Sequence, residues 1–398
     1  MDIPQGYKQT ELGIIPEDWE IVNLGSVAKI NGRIGFRGYT TADLVGVGQG
    51  AYTIGGKHIT NMVLDLHDAE YISWQKYYES PEIMVRKGDI VFAQRGTLGK
   101  SAFIVNDIGP ATINPSLVLI NKIKCDNEYL SYWLQCDKIV EYICSINSQT
   151  SIPMITQNQI EHIPVVLSRI KAEQQAIAEA LGDIDGLIAT LDKKIAKKRL
   201  IKQGAMQQLL TGKKRLPGFS DPWVEKKLGE ILDYEQPQPY LVVSTDYVDS
   251  GFPVLTAGKS LILGYTTEQF GIYNKLPVII FDDFTTDSKY ISYPFKVKSS
   301  AMKMLTLKNN DYDLRLVYEL MQQIDFPLKD HQRYWISEYS QLTISLPKDR
   351  EEQTAIAEIL TDMDKEIADL EAQRDKYRLL KSGMMQKLLT GQIRLKIK

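Results

Sequence analysis

The peptide QRGTLGKS, Gln94–Ser101, has a glycine, lysine and serine in the order that cradles phosphate in a nucleotide-binding loop. The first glycine of that pattern is missing, with Gln94 in its place. AFIV follows where a helix would have to begin to receive the phosphates. The stretch reads better as strand, polar hairpin loop, strand. GVGQG, Gly46–Gly50, lacks the flanking strand and helix of a dinucleotide site. DPW at Asp221–Trp223 lacks the second proline of the Asn/Asp-Pro-Pro-aromatic tetrapeptide of amino-methyl transfer, and in DPWVEKK the acids and lysine crowd too closely for a metal-dependent nuclease. Four scattered histidines and three cysteines (Cys125, Cys136, Cys144) without CxxC spacing predict no metal site and reduced thiols. No catalytic site is expected in this chain.

If chemistry is not done here, the residues must position something. At 398 residues, with 43% hydrophobic and 24% charged residues, the chain has room for two or three cores. It carries no apolar run of membrane-spanning length, and MDIPQGYKQTE does not read as a signal peptide, so a cytoplasmic protein is expected. The net charge of −3 argues against coating nucleic acid by charge alone. Any such contact must come from local patches.

The organising feature is a repeat. Shifted by 179 positions (352 − 173), Glu173–Leu216 aligns without a gap on Glu352–Leu395, and 25 of the 44 pairs are identical. QQLLTGKKRL in the middle of the chain becomes QKLLTGQIRL at its end. Two copies at so long a period indicate a duplicated module and not a solenoid. Ile177, Leu181, Ile184, Ile188 and Leu191, and Ile356, Leu360, Met363, Ile367 and Leu370, alternate spacings of four and three, the seam of a coiled coil. Starts near Ser168 and Asp349, and stops at Gly212 and Gly391, predict two helices of some 40 residues packed antiparallel. The identical pairs also include polar residues with no place in a seam: Glu173, Asp183, Arg199, Lys202 and Gln207, and their counterparts Glu352, Asp362, Arg378, Lys381 and Gln386. Matched polar faces are expected to dock two copies of one partner.

Each helix follows a strand-rich segment. Both segments open alike, Asp18-Trp19 then Leu24-Gly25, and Trp223 then Leu228-Gly229, but no register between them is evident further on. The expected division is 1–165, 166–216, 217–347 and 348–398: globular, helix, globular, helix.

The ordered set GYKQTELGIIPEDWEIVNLGSV, KGDIVFAQRGTLGK, EQQAIAEALGDIDGLIATLDKKI and LIKQGAMQQLLTGKKRL, with the second helical copy, resembles the specificity (S) subunits of type I restriction–modification systems across essentially the whole chain. The resemblance implies an α+β fold: two mixed α/β target recognition domains joined by two long antiparallel coiled-coil helices with pseudo-two-fold symmetry. Each domain would read one half of a bipartite, asymmetric site in double-stranded DNA. Two methylation subunits would dock on the helices and restriction subunits would join them. S-adenosylmethionine, ATP and magnesium would belong to those partners, with no cofactor bound by this chain. The expected DNA contacts are loop residues able to reach base edges or phosphates. They are Arg33, Arg37, Lys57, His58, Arg95, Thr97 and Lys100 in the first domain, and Lys259, Thr285, Thr286, Lys289, Lys298, Ser299 and Lys303 in the second. The rival readings are a coiled-coil adaptor between proteins and a self-contained DNA methyltransferase.

Overall fold

In the computed structural model, residues 3–60, 62–146, 153–256, 260–328 and 333–396 are described. They form two compact units, Met1–Asp192 with Gln373–Lys398, and Lys193–Ala372. Each unit thus owns one globular segment and a stretch of each long helix.

Alternation of apolar residues builds the first unit. Strands Lys29–Gly32, Leu117–Asn121, Ile90–Ala93 and Ser101–Phe103 form an antiparallel sheet in that spatial order. Successive side chains of a strand point to opposite faces. Ile90, Phe92, Val118 and Ile120 therefore join a core with Tyr129, Trp133, Ile177, Leu181 and Leu388. Val91, Ala93, Leu117 and Leu119 join another core with Ile54, Ile83 and Ile113. This second face is covered by a further sheet in which Ala51–Ile54 pairs in parallel with Ala111–Ile113. Both faces being buried explains why these strands read as continuous apolar runs.

The second unit repeats the plan with different residues. Leu232–Glu235, Met302–Leu307, Val278–Asp282 and Ser288–Ile291 form the antiparallel sheet in the corresponding order. Ile279, Phe281 and Leu305 face a core with Leu316, Leu320, Ile356 and Leu360. Val278, Ile280, Met302 and Met304 face another with Leu255, Phe295 and Val297. Phe252–Leu255 again pairs in parallel with the later strand Lys296–Val297. The sequence shows no register between the two globular segments, yet they share one topology. What is kept is which positions are apolar, not which apolar residue fills them.

The middle helix spans Lys171–Leu209 and the terminal helix Arg350–Leu388, 39 residues each. Gly212 and Gly391 follow with φ of +66° and +68°, the left-handed geometry that ends a helix at little cost only for glycine. In each unit the two stretches run antiparallel. In the first, Asp185 pairs with Lys381 at 2.7 Å and Asp192 with Arg374 at 3.5 Å. In the second, Lys198 pairs with Glu366 at 2.6 Å and Lys202 with Asp364 at 2.6 Å.

At its start the expected seam also serves the globular cores, where Ile177 and Leu181 share a cluster with Leu388 of the terminal helix, and Ile356 and Leu360 one with Leu209 of the middle helix. Ile177 and Leu181, and Ile356 and Leu360, are fully buried in the globular cores, because the first turns of each helix lie beneath a sheet. Leu191 is buried as well, while Ile184, Ile188, Met363, Ile367 and Leu370 are only half-buried.

Candidate nucleic-acid interface

One end of the four-stranded sheet gathers the polar loops in each unit. In the first unit Gln94–Lys100 connects Ile90–Ala93 to Ser101–Phe103. Gln94 N–H donates to the Ser116 carbonyl at 3.0 Å, and the Gln94 amide to the Pro115 carbonyl at 3.0 Å, so Asn114–Ser116 lies alongside. The segment after Gly32 leaves the sheet at the same end, since Gly32 is opposite Val118. Gly55–His58 joins them, because Asn114 N–H donates to the Ile54 carbonyl at 2.8 Å.

In the second unit the corresponding hairpin joins Val278–Asp282 to Ser288–Ile291. Asp283 N–H donates to the Ala301 carbonyl at 3.1 Å, which brings Lys298–Ala301 to the same end. The peptide QRGTLGK and the expected contacts Thr285, Thr286 and Lys289, in FTTDSKY (Phe284–Tyr290), therefore occupy one and the same hairpin of one fold.

The structure sorts the expected contacts. Arg95, Thr97 and Lys100 are exposed on the first hairpin. Arg37 is half-buried and pairs with Glu82 at 3.5 Å; Lys57 is exposed and lies 3.4 Å from Asp68. Thr285, Lys289 and Lys298 are exposed, and Thr286 and Ser299 half-exposed. Thr286 has φ of +60°, a conformation a β-branched residue rarely adopts outside a constrained turn. The turn is held by Asp282, whose Oδ1 accepts from the N–H groups of Phe284 at 2.7 Å and Thr285 at 3.1 Å. Lys259 lies outside the described residues.

Three expected contacts are used up inside the chain. Arg33 is buried, donating through Nη2 to Thr112 Oγ1 at 3.0 Å and through Nε to the Ile113 carbonyl at 3.2 Å; burial lowers its pKa. His58 is buried with Nδ1 accepting from Gly55 N–H at 2.9 Å, and burial lowers its pKa too, favouring a neutral ring. Lys303 is buried beside Asp283 at 3.3 Å and donates to Gln236 Oε1 at 3.0 Å. Lys303 is fixed in the strand Met302–Leu307, while Arg33, just past the strand Lys29–Gly32, and His58, in the turn Gly56–His58, are turned inward by these bonds.

The matched polar residues of the helices also require correction. Glu173 is fully buried: it accepts from Trp19 Nε1 at 3.2 Å, from the Ser168 hydroxyl, and from both sides of the Arg394 guanidinium, Nη2 at 2.9 Å. Arg394 also forks onto Asp18, with both contacts at 3.0 Å, and this hydrogen bonding lowers the pKa of Asp18. In the second unit Glu352 is buried and held by the Arg215 fork at 2.7 and 2.6 Å. Lys381 is buried against Asp185, and Lys202 is largely covered between Asp364 and Glu319. Arg199 pairs with Glu371, and Arg378 with Asp375 at 3.3 Å and Asp192 at 3.6 Å. Much of the polar identity between the copies thus serves the chain itself. Asp183, Gln207, Asp362 and Gln386 remain exposed, as do Arg199 and Arg378 despite their ion pairs. The two arginines that clasp these carboxylates, Arg215 and Arg394, stand at matching positions of the repeated LLTGxxRL, a signal carried by the repeat itself.

Among the described residues no cluster of three or more metal-ligating side chains occurs, and no helix is long and apolar enough to cross a membrane.

Comparison with known proteins agrees with this arrangement. The type I restriction modification DNA specificity domain matches twice, over residues 16–198 and 220–377. The chain is 49% identical over 148 residues to the EcoR124I/EcoR124II specificity subunit of Escherichia coli, a match covering 36% of each protein. It is 24% identical to the MjaVIII specificity subunit of Methanocaldococcus jannaschii over 98% of this chain and 97% of that one. The aligned part thus spans about a third of the E. coli relative's length but nearly all of the archaeal one's. In fold the chain is similar to the S subunit of a type I restriction–modification system from M. genitalium, with a TM-score of 0.66 at 15% identity over 98% of both chains. It is also similar to a chain from a study of complex assembly and conformational transition in the type I R-M system, with a TM-score of 0.53 at 15% identity, covering 95% of this chain and 99% of that one. Two matched domains, each carrying the same sheet and hairpin, place this chain in the type I restriction–modification DNA specificity family.

Proposed function

We propose that this chain is the DNA-recognition subunit of a type I restriction–modification complex, each unit reading one half of a bipartite, asymmetric target. The observation that carries the reading is the shared hairpin: one sheet end, used twice, presents Arg95 and Lys100 in one unit and Thr285 and Lys289 in the other. A common scaffold with unlike tips suits two unlike half-sites. Arginine and lysine suit guanine edges and phosphates, and threonine either base edges or phosphates.

The helices would set the spacing of the half-sites and dock two methylation subunits, with Asp183, Arg199, Gln207, Asp362, Arg378 and Gln386 as the exposed matched residues. Restriction subunits would complete the complex in the cytoplasm. S-adenosylmethionine, ATP and magnesium would be held by these partners.

The test is single-molecule sequencing of methylated bases in a host without its own methylation, expressing this chain with its methylation subunit. A single motif of two short specified blocks around a fixed gap is expected. If the methylation subunit co-purifies and no motif appears, the chain is a protein–protein adaptor.

A further inference from the structure

We infer that Arg333 is the specificity-determining arginine of the second unit, reading a guanine with Phe284 stacked beneath it. The inference deepens the proposed DNA-reading function and rests on it.

One relation between the hairpin and a returning arm recurs in the two units. In the first, Pro153–Ile155 returns alongside the hairpin: Ile155 N–H donates to the Gln94 carbonyl at 3.0 Å, and Met154 bridges Arg95. In the second, Tyr334 N–H donates to the Asp283 carbonyl at 3.0 Å. Matching these bonds sets Gln94 against Asp283 and Ile155 against Tyr334. One residue outward, Arg95 then matches Phe284, and Met154 matches Arg333.

Both units therefore present one arginine and one apolar side chain at the same point of the sheet end, on exchanged arms. The Arg333 guanidinium lies 5.9 Å from the centre of the Phe284 ring, within reach of a cation–π contact. Phe284 is 44% exposed, and Arg333 is exposed and in no ion pair among the described residues. A planar guanidinium held near a ring, and in no ion pair among the described residues, is prepared for two parallel hydrogen bonds.

The support beneath is rigid. Asp283 Oδ1 accepts from Trp335 N–H at 2.8 Å, and its other oxygen faces buried Lys303. The arm carrying Arg333 is thereby tied to the turn carrying Phe284. A guanine offers N7 and O6 to an arginine fork, and a lysine cannot reproduce that geometry.

The experiment compares the methylated motif of wild type with that of Arg333→Lys in the assembled complex. The expected result is relaxation at one guanine position, by on the order of tenfold to a hundredfold in discrimination, confined to one half-site. Phe284→Leu, which removes the ring and keeps the charge, is expected to relax the same position. An unchanged motif in both variants, a uniform loss of methylation with the motif retained, or relaxation of both half-sites overturns the assignment. Failure of the functional reading is a separate result, visible as the absence of any bipartite motif in wild type.

Discussion

Lys303 lies 3.3 Å from Asp283, and both side chains are buried to within 2%. Removing one member of such a pair strands the other charge away from water. Lys303→Met is expected to destabilise the second unit by about 3–5 kcal/mol. The double variant with Asp283→Asn should regain part of that loss, because the two residues act on one another. Urea unfolding followed by tryptophan fluorescence would check this; losses that simply add would mean that the pair is not coupled.

The clasps make a second prediction. Glu173 and Glu352 each sit buried under an arginine fork. Glu352→Gln keeps the shape and loses the charge-assisted bonds, at an expected cost of about 1.5–3 kcal/mol. Arg215→Lys should fare little better, since lysine cannot fork. Thermal unfolding of the two variants beside wild type would decide; a wild-type profile for Glu352→Gln would remove the clasp from the account of stability.

Exposed lysines at the sheet end should behave differently from Arg333. Lys298→Ala and Lys289→Ala are expected to weaken DNA binding for every sequence alike. Each should reduce the slope of log affinity against log salt by about one, with the methylated motif unaltered. Binding titrations of the assembled complex at several salt concentrations would show it. A changed motif would make these residues base readers.

Stability should also depend on pH through Glu319. Burial raises its carboxyl pKa, with Lys202 and Arg315 opposing. In the unfolded chain the proton leaves at the ordinary carboxylate value, while the folded chain holds it to higher pH. Between those two values the folded state binds more protons, so stability falls as pH rises. Glu319→Gln is expected to flatten that decline in a series of melting temperatures from acid to neutral pH. Parallel profiles for the two proteins would sink the idea.

The repeat, the two 39-residue helices and the stops at Gly212 and Gly391 could be read directly, because they rest on local spacing and on glycine's tolerance of positive φ. The common topology of the globular segments could not, because it survives only as a pattern of buried positions. Which arginine reaches the surface was also hidden. Arg33 and Arg95 look equally polar in sequence, yet one ends in a buried bond to Thr112 and the other on a hairpin tip. Arg333 lies 49 positions (333 − 284) from the loop it joins, a separation no local motif can bridge.

The clasps have a further consequence for how the duplication can age. Glu173 of the first copy is gripped by Arg394 of the second, and Glu352 of the second by Arg215 of the first. Each copy therefore supplies the lock for the other's key. A substitution on either side is felt by a residue encoded some 140 to 220 positions away, within a contact whose twin is still intact. At these positions the copies are not free to drift apart, while the hairpin tips, bound by no such exchange, can take on new sequences without disturbing the joints below them.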